Sequence, residues 1–239
     1  MEKVIEVKEI GPVTFRRKNT CKNLKITVKH YNVVNVTLPP FFSMESAMLF
    51  VLEKKEWIKK QQLKISSHIK APVIFEETTV FKTNWHSLNM LKHQRNTIKT
   101  VIDSNYINIF YPHIADVKDP RIQSAVKNAI LRTWRLEAEA ILPDLVENLA
   151  SRYSFKYGRV SIRNNKTRWG SCSGKSNNIN LNLHLIRLPR HLCEYVILHE
   201  LAHTVHRNHR EPFWKLLDMI SGNAKGLDKE LNSRRILVW

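Results

Sequence analysis

Hydrophobic and polar residues alternate in short runs over the first forty positions of the chain, a pattern typical of β-strands. The runs predict four strands, at Val4–Val7, Val13–Arg16, Leu24–Val28 and Val33–Leu38. Apolar residues at helical spacing then follow Ser43, a residue type that caps helices, and predict a helix at 43–64. Residues 72–111 again have a β-like pattern, with clear alternation at Tyr106–Tyr111. Residues 1–115 are therefore predicted to form a β-rich region with one helix near 43–64.

Helical periodicity dominates the second half of the chain. Asp119-Pro120 predicts the start of a long helix, because the fixed φ of proline suits the first helical position. Apolar residues keep helical spacing past Pro143, where the helix is expected to kink or restart, and on to about Tyr153. Two further helices are predicted, one after Pro189 and one near Pro212.

Short segments with β-like patterning lie between these helices. Residues 159–163 and 166–170 flank Asn164-Asn165, and since asparagine tolerates positive φ, the pattern predicts a tight hairpin. Ile179–Leu185 alternates strictly, which predicts a half-buried strand whose polar face is formed by Asn180, Asn182 and His184. We therefore expect an α+β fold whose second domain, residues 116–239, contains a small antiparallel sheet. The connection at 112–119 is the preferred domain boundary, and the one at 66–82 is the alternative.

The composition is that of an ordinary globular protein. Of the 239 residues 43% are hydrophobic and 25% are charged, which excludes disorder as the main description. The first residues carry mixed charges and no signal-peptide core, and the most apolar stretch, Phe41–Leu52, is too short and too polar to span a bilayer. Three cysteines without a CxxC pair favour neither a disulfide framework nor a cysteine zinc finger. We therefore expect a cytoplasmic protein that does not bind membranes.

The net charge is unusual. Lys and Arg number 39 against 21 Asp and Glu, which gives a formal charge of +18. Basic residues are spread along the chain, so the charge belongs to a folded surface and not to a tail. Such a surface favours an anionic partner such as nucleic acid or an acidic protein, or simply keeps a small basic protein soluble.

The string LHELAHTVHRNH, from Leu198 to His209, carries the most specific chemistry of the chain. It contains the pattern HExxH, as His199-Glu200-Leu201-Ala202-His203. Residues four apart lie on one face of a helix, so both histidines can bind the same Zn²⁺. Glu200 lies one residue on, where it can take a proton from a water whose pKa the zinc ion lowers. The sequence therefore predicts one zinc ion per chain, with Glu200 as the general base.

A catalytic zinc site needs a third protein ligand and an open position. His209 lies six residues after His203, the spacing of HExxHxxGxxH enzymes, and is the first candidate. The turn glycine of that pattern is His206 here, so Asn208 is the neighbour best suited to a left-handed turn conformation. His206 is either a further polar group of the site or a surface histidine. The alternative third ligand is a downstream carboxylate, Glu230 or Asp228.

Further distinctive residues surround the histidine string. They are Arg168-Trp169-Gly170-Ser171-Cys172-Ser173, Asn182, Pro189, Tyr195-Val196, Asn208-His209 and Phe213-Trp214. With the HExxH residues they resemble the YgjP-like family of predicted zinc metallopeptidases, which is related in outline to SprT-like and minimal gluzincin proteases. The resemblance is strong from about Val160 to Trp214 and weaker in the N-terminal region. It implies a zincin-like metallopeptidase domain with zinc on His199, His203 and His209, and with Glu200 as the catalytic acid.

Three more polar residues are candidates for roles around the zinc ion. Arg168 can stabilise an oxyanion or hold a substrate carboxylate, or it is a structural arginine. Asn182 and His184 can hydrogen-bond a ligand histidine, or they are structural or solvated. An extended substrate is expected along an edge strand, either Ile179–Leu185 or the strand at 166–170.

The sequence therefore favours a zinc-dependent peptidase that hydrolyses peptide bonds in a peptide or protein substrate. One alternative is a basic protein associated with nucleic acid, including a SprT-like protease that acts on DNA-bound proteins. The other is a non-catalytic zinc-binding scaffold, against which the well-placed Glu200 argues.

Overall fold

The computed structural model describes residues 2–28, 33–66 and 73–236. The chain divides into two compact units, Met1–Val73 and Ile74–Trp239. The division therefore falls in the connection at 66–82 and not at 112–119, because the residues between the two connections share a hydrophobic core with the later helices. None of the helices in the described ranges has the length and apolarity that crossing a bilayer requires.

The first unit is built on a four-stranded sheet. Its strands are β1 (Glu2–Val7), β2 (Gly11–Arg17), β3 (Lys25–Val28) and β4 (Val34–Leu38), in the order β1-β2-β4-β3. β2 and β4 run parallel, and the other two pairs are antiparallel. The strands predicted from alternation are confirmed, since alternate residues of β4 are buried in the core of this unit.

Two helices complete the first unit where one was predicted. They are α1 (Met44–Glu53) and α2 (Lys55–Ser66), and the helical conformation is interrupted between them at Lys54. Ser43 caps α1, because its hydroxyl accepts a 3.0 Å hydrogen bond from the Ser46 N–H. The predicted apolar stripe is buried at Ala47, Val51 and Ile58 despite the break.

The second unit opens with a three-stranded sheet and a long helix. The strands are β5 (Ser87–His93), β6 (Lys99–Ile102) and β7 (Tyr106–Pro112), in the order β5-β7-β6. The helix α3 (Pro120–Arg152) is capped by Asp119, whose carboxylate accepts from the Arg121 N–H at 2.8 Å. Pro143 lies inside α3 without ending it. The residues predicted for its apolar stripe are buried: Ile122, Val126, Ala129, Ile130, Thr133 and Trp134.

A second three-stranded sheet differs from the prediction. Its strands are β8 (Val160–Arg163), β9 (Gly170–Cys172) and β10 (Ile179–Asn182), in the order β8-β10-β9. β10 is antiparallel to β9 and parallel to β8, so the sheet is mixed and the predicted hairpin about Asn164-Asn165 is wrong. The Asn182 side chain explains the arrangement, because it donates to the carbonyls of Asn165 and Arg168, both at 2.7 Å, and holds the connecting segment beside β10.

The predicted strand Ile179–Leu185 is shorter than expected. It ends at Asn182, whose side chain accepts from the His184 N–H at 3.2 Å and caps a 3-10 helix, Leu183–Arg187. Asn182 and His184 are buried, so the polar face predicted for this strand is also wrong. The remaining helices are α4 (Arg190–Ala202), α5 (Glu211–Ser221) and α6 (Ala224–Ser233).

Candidate metal centre

Helix α4 carries His199 and Glu200, and His203 caps its C-terminal end. Most of the helix is apolar and buried, at Leu192, Cys193, Tyr195, Val196, Ile197, Leu198, Leu201 and Ala202. Because residues 199 and 203 lie one turn apart, their imidazoles project from the same side of a helix that the core holds in place.

The chain reverses direction directly after α4. The His206 N–H donates to the Ala202 carbonyl at 2.9 Å, and the Asn208 side chain accepts from the Arg210 N–H at 3.2 Å just before α5. In the described ranges, the non-glycine residues with positive φ are Glu9, Ser154 and Asn177. The left-handed conformation predicted for Asn208 is therefore wrong, and the turn closes without a glycine.

This turn brings His209 back to the two histidines of α4. The Nε2 atom of His209 lies 3.0 Å from Nε2 of His199 and 3.2 Å from Nε2 of His203. One ligand atom from each residue lies within 4.8 Å of the other two. Zinc–nitrogen bonds of about 2.0–2.1 Å place the ligand atoms of a tetrahedral site about 3.3 Å apart, so the three imidazoles fit a zinc ion.

The surroundings of His199 and His203 favour the neutral form of both imidazoles. Burial, followed by the charges of His203 and His209, lowers the pKa of His199 to about 3. Burial also lowers the pKa of His203. The Nδ1 atom of His203 lies 2.9 Å from the His206 carbonyl, which suits a donor at Nδ1 and leaves the Nε2 lone pair for a metal.

Phe213 of α5 packs against all three imidazoles. Its ring is fully buried and stacks on His203 with a centroid distance of 4.6 Å. It meets the ring of His199 at 5.0 Å and that of His209 at 4.7 Å, both edge to face. One aromatic side chain therefore restrains the orientation of the three candidate ligands.

Glu200 lies against strand β9. Its side chain is buried, and the carboxylate accepts a hydrogen bond from the backbone N–H of Cys172. Burial raises the pKa of Glu200 to about 8, against the opposing effect of that hydrogen bond. A desolvated carboxylate beside a candidate metal site is suited to taking up and returning a proton.

A cleft of about 190 Å³ opens beside Glu200 and His199. Its lining also includes Arg168, Trp169, Gly170, Val196, Asp228 and Leu231. Arg168 is exposed, and within the described ranges its guanidinium makes no hydrogen bond or ion pair. Asp228 and Leu231 place α6 at the edge of this cleft, where Asp228 was considered from the sequence as an alternative ligand and Leu231 was not.

Asn182 and His184 lie among structural contacts. Asn182 holds the loop before β9 through the hydrogen bonds described above. The His184 Nδ1 lies 3.2 Å from an Arg187 nitrogen, and its ring packs edge to face on Trp134 at 5.5 Å. Burial, followed by the charge of Arg187, lowers the pKa of His184 to about 4.

The carboxylates considered as alternative ligands are placed differently from His209. Glu230 lies 3.1 Å from Nε2 of His191 and 3.6 Å from Arg234. Asp228 lines the cleft and accepts a 2.8 Å hydrogen bond from Asn232. Among the described residues, the group of converging ligand atoms contains the three histidines and neither carboxylate.

Most of the chain matches a known protein family. The family model described as YgjP-like, metallopeptidase domain, matches residues 22–234. No curated protein matches the chain. The crystal structure of the metallopeptidase zymogen of Pyrococcus abyssi abylysin shares 21% identity and a TM-score of 0.34, over 41% of this chain and 100% of that one. The corresponding zymogen of Methanocaldococcus jannaschii jannalysin shares 22% identity and a TM-score of 0.35, over 38% and 93%.

Proposed function

The chain belongs to the YgjP-like metallopeptidase family, and from this membership we propose that it is a zinc-dependent peptidase. His199, His203 and His209 would hold the zinc ion, and Glu200 is the general base. The observation that carries the proposal is the convergence of three imidazole Nε2 atoms beside a buried carboxylate from the same helix. A structural zinc site would not require that carboxylate.

The protein's own residues have defined tasks in this reaction. Zinc in such a site acts as a Lewis acid and lowers the pKa of water. Glu200 accepts the proton from the attacking water and returns it to the departing amine. Phe213 and the His206 carbonyl keep the ligand imidazoles oriented, which supports a fixed geometry during turnover.

The substrate would lie along β9 in an extended conformation. In the sheet order β8-β10-β9, β8 and β9 are the edge strands, and β9 is the one that lines the cleft beside Glu200, through Gly170, so β9 is the better placed to accept a further chain. Of the two strands considered from the sequence, Ile179–Leu185 contains the central strand β10, which argues against it, and the 166–170 segment contributes Gly170 to β9. Arg168 at the mouth of the cleft would hold a substrate carboxylate or the developing oxyanion.

Metal analysis of purified variants tests the ligand set. Wild type is expected to bind about one zinc ion per chain, and His199→Ala and His209→Ala are expected to lose it. Glu230→Gln is the matched control and should keep zinc, because Glu230 pairs with His191 away from the cluster. If His209→Ala keeps its metal and Glu230→Gln does not, the third ligand is wrong.

Hydrolysis tests the role of Glu200. Fluorescein-labelled casein and a mixture of quenched fluorescent peptides serve as probes of peptidase activity. Wild type is expected to cleave them, and Glu200→Gln is expected to keep zinc and to lose cleavage, since a neutral amide cannot accept the proton. A zinc-loaded wild type that cleaves neither probe would favour a non-catalytic zinc protein instead.

A further inference from the structure

Glycine at position 170 of β9 leaves room for the side chain of Glu200. A Cβ atom built on Gly170 would lie 2.6 Å from Oε1, 2.7 Å from Cγ and 3.0 Å from Cδ of Glu200. Ordinary van der Waals contacts of a Cβ atom begin at 3.4 Å. The volume that any other side chain would fill at this position is therefore occupied by the side chain of the proposed general base.

The two partners of this contact are both held by their own elements. β9 pairs with β10, with Gly170 opposite Leu181 and Cys172 opposite Ile179. Glu200 belongs to the buried helix α4, directly after the candidate ligand His199. The overlap includes Cγ, which is close to the helix backbone, so rotation of the carboxylate end alone would not relieve it. A side chain at position 170 would therefore displace Glu200.

A second contact from the same strand fixes the carboxylate itself. The backbone N–H of Cys172, two residues after Gly170, donates a hydrogen bond to Glu200. β9 thus restricts the Glu200 side chain sterically at Gly170 and orients the carboxylate oxygens through the N–H of Cys172. Because both contacts use the backbone, they require glycine at 170 but no particular side chain at 172.

We propose that Gly170 is a positioning residue for catalysis. Because glycine has no side chain, the Glu200 side chain can occupy the space beside position 170, and this sets the position of its carboxylate. This inference rests on the proposed peptidase function, in which Glu200 is the general base. To lengthen the distance between a Cβ atom at position 170 and Oε1 of Glu200 from 2.6 Å to 3.4 Å, the carboxylate must move by roughly 0.8 Å. Misplacement of a catalytic group by about 1 Å can cost about 100-fold in rate.

Gly170→Ala tests the proposal, with Gly174→Ala as the matched control. Gly174 lies in the turn after β9, and a Cβ atom there would meet nothing within 4 Å. The kinetics use the quenched peptide that wild type cleaves fastest. Gly170→Ala is expected to lower kcat by about 100-fold with little change in KM and with zinc content unchanged. Gly174→Ala is expected to match wild type in all three measurements.

A double-mutant cycle separates positioning from general damage. If Gly170 acts through Glu200, Glu200→Gln should cost much less in the Gly170→Ala background than in wild type. Equal losses in the two backgrounds would show that Gly170 acts independently of Glu200 and would overturn the proposal. Loss of zinc or of folding in Gly170→Ala would also overturn it, because the glycine would then be structural.

The outcomes distinguish this proposal from the function on which it rests. Full activity of Glu200→Gln would remove the general base and with it the proposed mechanism. An inactive Glu200→Gln together with a fully active Gly170→Ala would leave the peptidase function intact and refute the positioning role alone.

Discussion

Replacement of Phe213 by alanine tests whether packing beneath the histidines sets the affinity for metal. The Phe213 ring is fully buried and contacts His199, His203 and His209. Its removal leaves a cavity, and buried Phe→Ala changes lower the free energy of unfolding by about 3–5 kcal/mol. It also frees three imidazoles that must converge on one point, so a second effect is expected on zinc binding.

The second effect can be estimated separately from the first. Loss of groups that orient metal ligands typically weakens metal binding by about 10–100-fold. At saturating zinc, a loss of that size removes a further 1.4–2.7 kcal/mol, approximately, of the stabilisation that the bound metal provides. Phe213→Ala should therefore lose about 3–5 kcal/mol without zinc and about 1.4–2.7 kcal/mol more with zinc.

Urea unfolding with and without zinc, together with competition against a fluorescent chelator, measures both effects. Phe75→Ala is the matched control, because Phe75 is also fully buried and its ring packs against Phe81, at a centroid distance of 5.6 Å. It should lose a similar amount of stability with zinc and without it. If Phe213→Ala loses stability but gains as much from zinc as wild type does, Phe213 does not position the ligands.

Three further predictions concern other buried or cleft residues. Asn182→Ala should lower the free energy of unfolding by about 2–4 kcal/mol, because the carbonyls of Asn165 and Arg168 lose a buried hydrogen-bond donor. Urea unfolding measures this loss, and Asn180→Ala, at a half-buried position of the same strand, is the control. Glu137→Gln should cost about 2–3 kcal/mol, because the buried carboxylate accepts hydrogen bonds from residues 83–86, whereas exposed Glu139→Gln should stay within about 0.5 kcal/mol. Arg168→Ala should lower kcat/KM by about 10-fold or more with zinc content unchanged, and Arg168→Lys should restore part of it; unchanged steady-state kinetics would place Arg168 outside the substrate site.

Features that depend on neighbours along the chain could be predicted from the sequence. The spacing of His199 and His203 follows from the helical period, the cap at Ser43 depends on a hydrogen bond within one turn, and the start of α3 follows from the fixed φ of Pro120. The alternation of β4 and the apolar stripe of α3 likewise report burial on one face. Each of these signals is local, and the helices and strands that they predict are present, while the zinc-binding role of the two histidines stays a prediction.

Features that depend on distant partners could not be predicted. Asn182 lies in an alternating segment, where a polar residue normally indicates solvent, but its partners are backbone groups at Asn165, Arg168 and His184. No pattern near Asn182 shows that those groups will surround it, so the mixed order of the sheet was missed. The contact between Gly170 and Glu200 spans thirty positions and was hidden for the same reason. A glycine in a sequence does not by itself show which side chain occupies the space beside it.

The net charge of +18 and the charge of the cleft act on a substrate in different ways. The side chains that line the cleft set the charge of Arg168 against that of Asp228, so they do not form a basic patch. Attraction from the whole surface is screened within a Debye length of about 8–10 Å at physiological salt and weakens steeply as salt rises. A contact between Arg168 and a substrate carboxylate forms at close range and is screened less. A KM that rises steeply with salt would therefore indicate capture by the surface, whereas a KM that depends on Arg168 but little on salt would indicate recognition within the cleft.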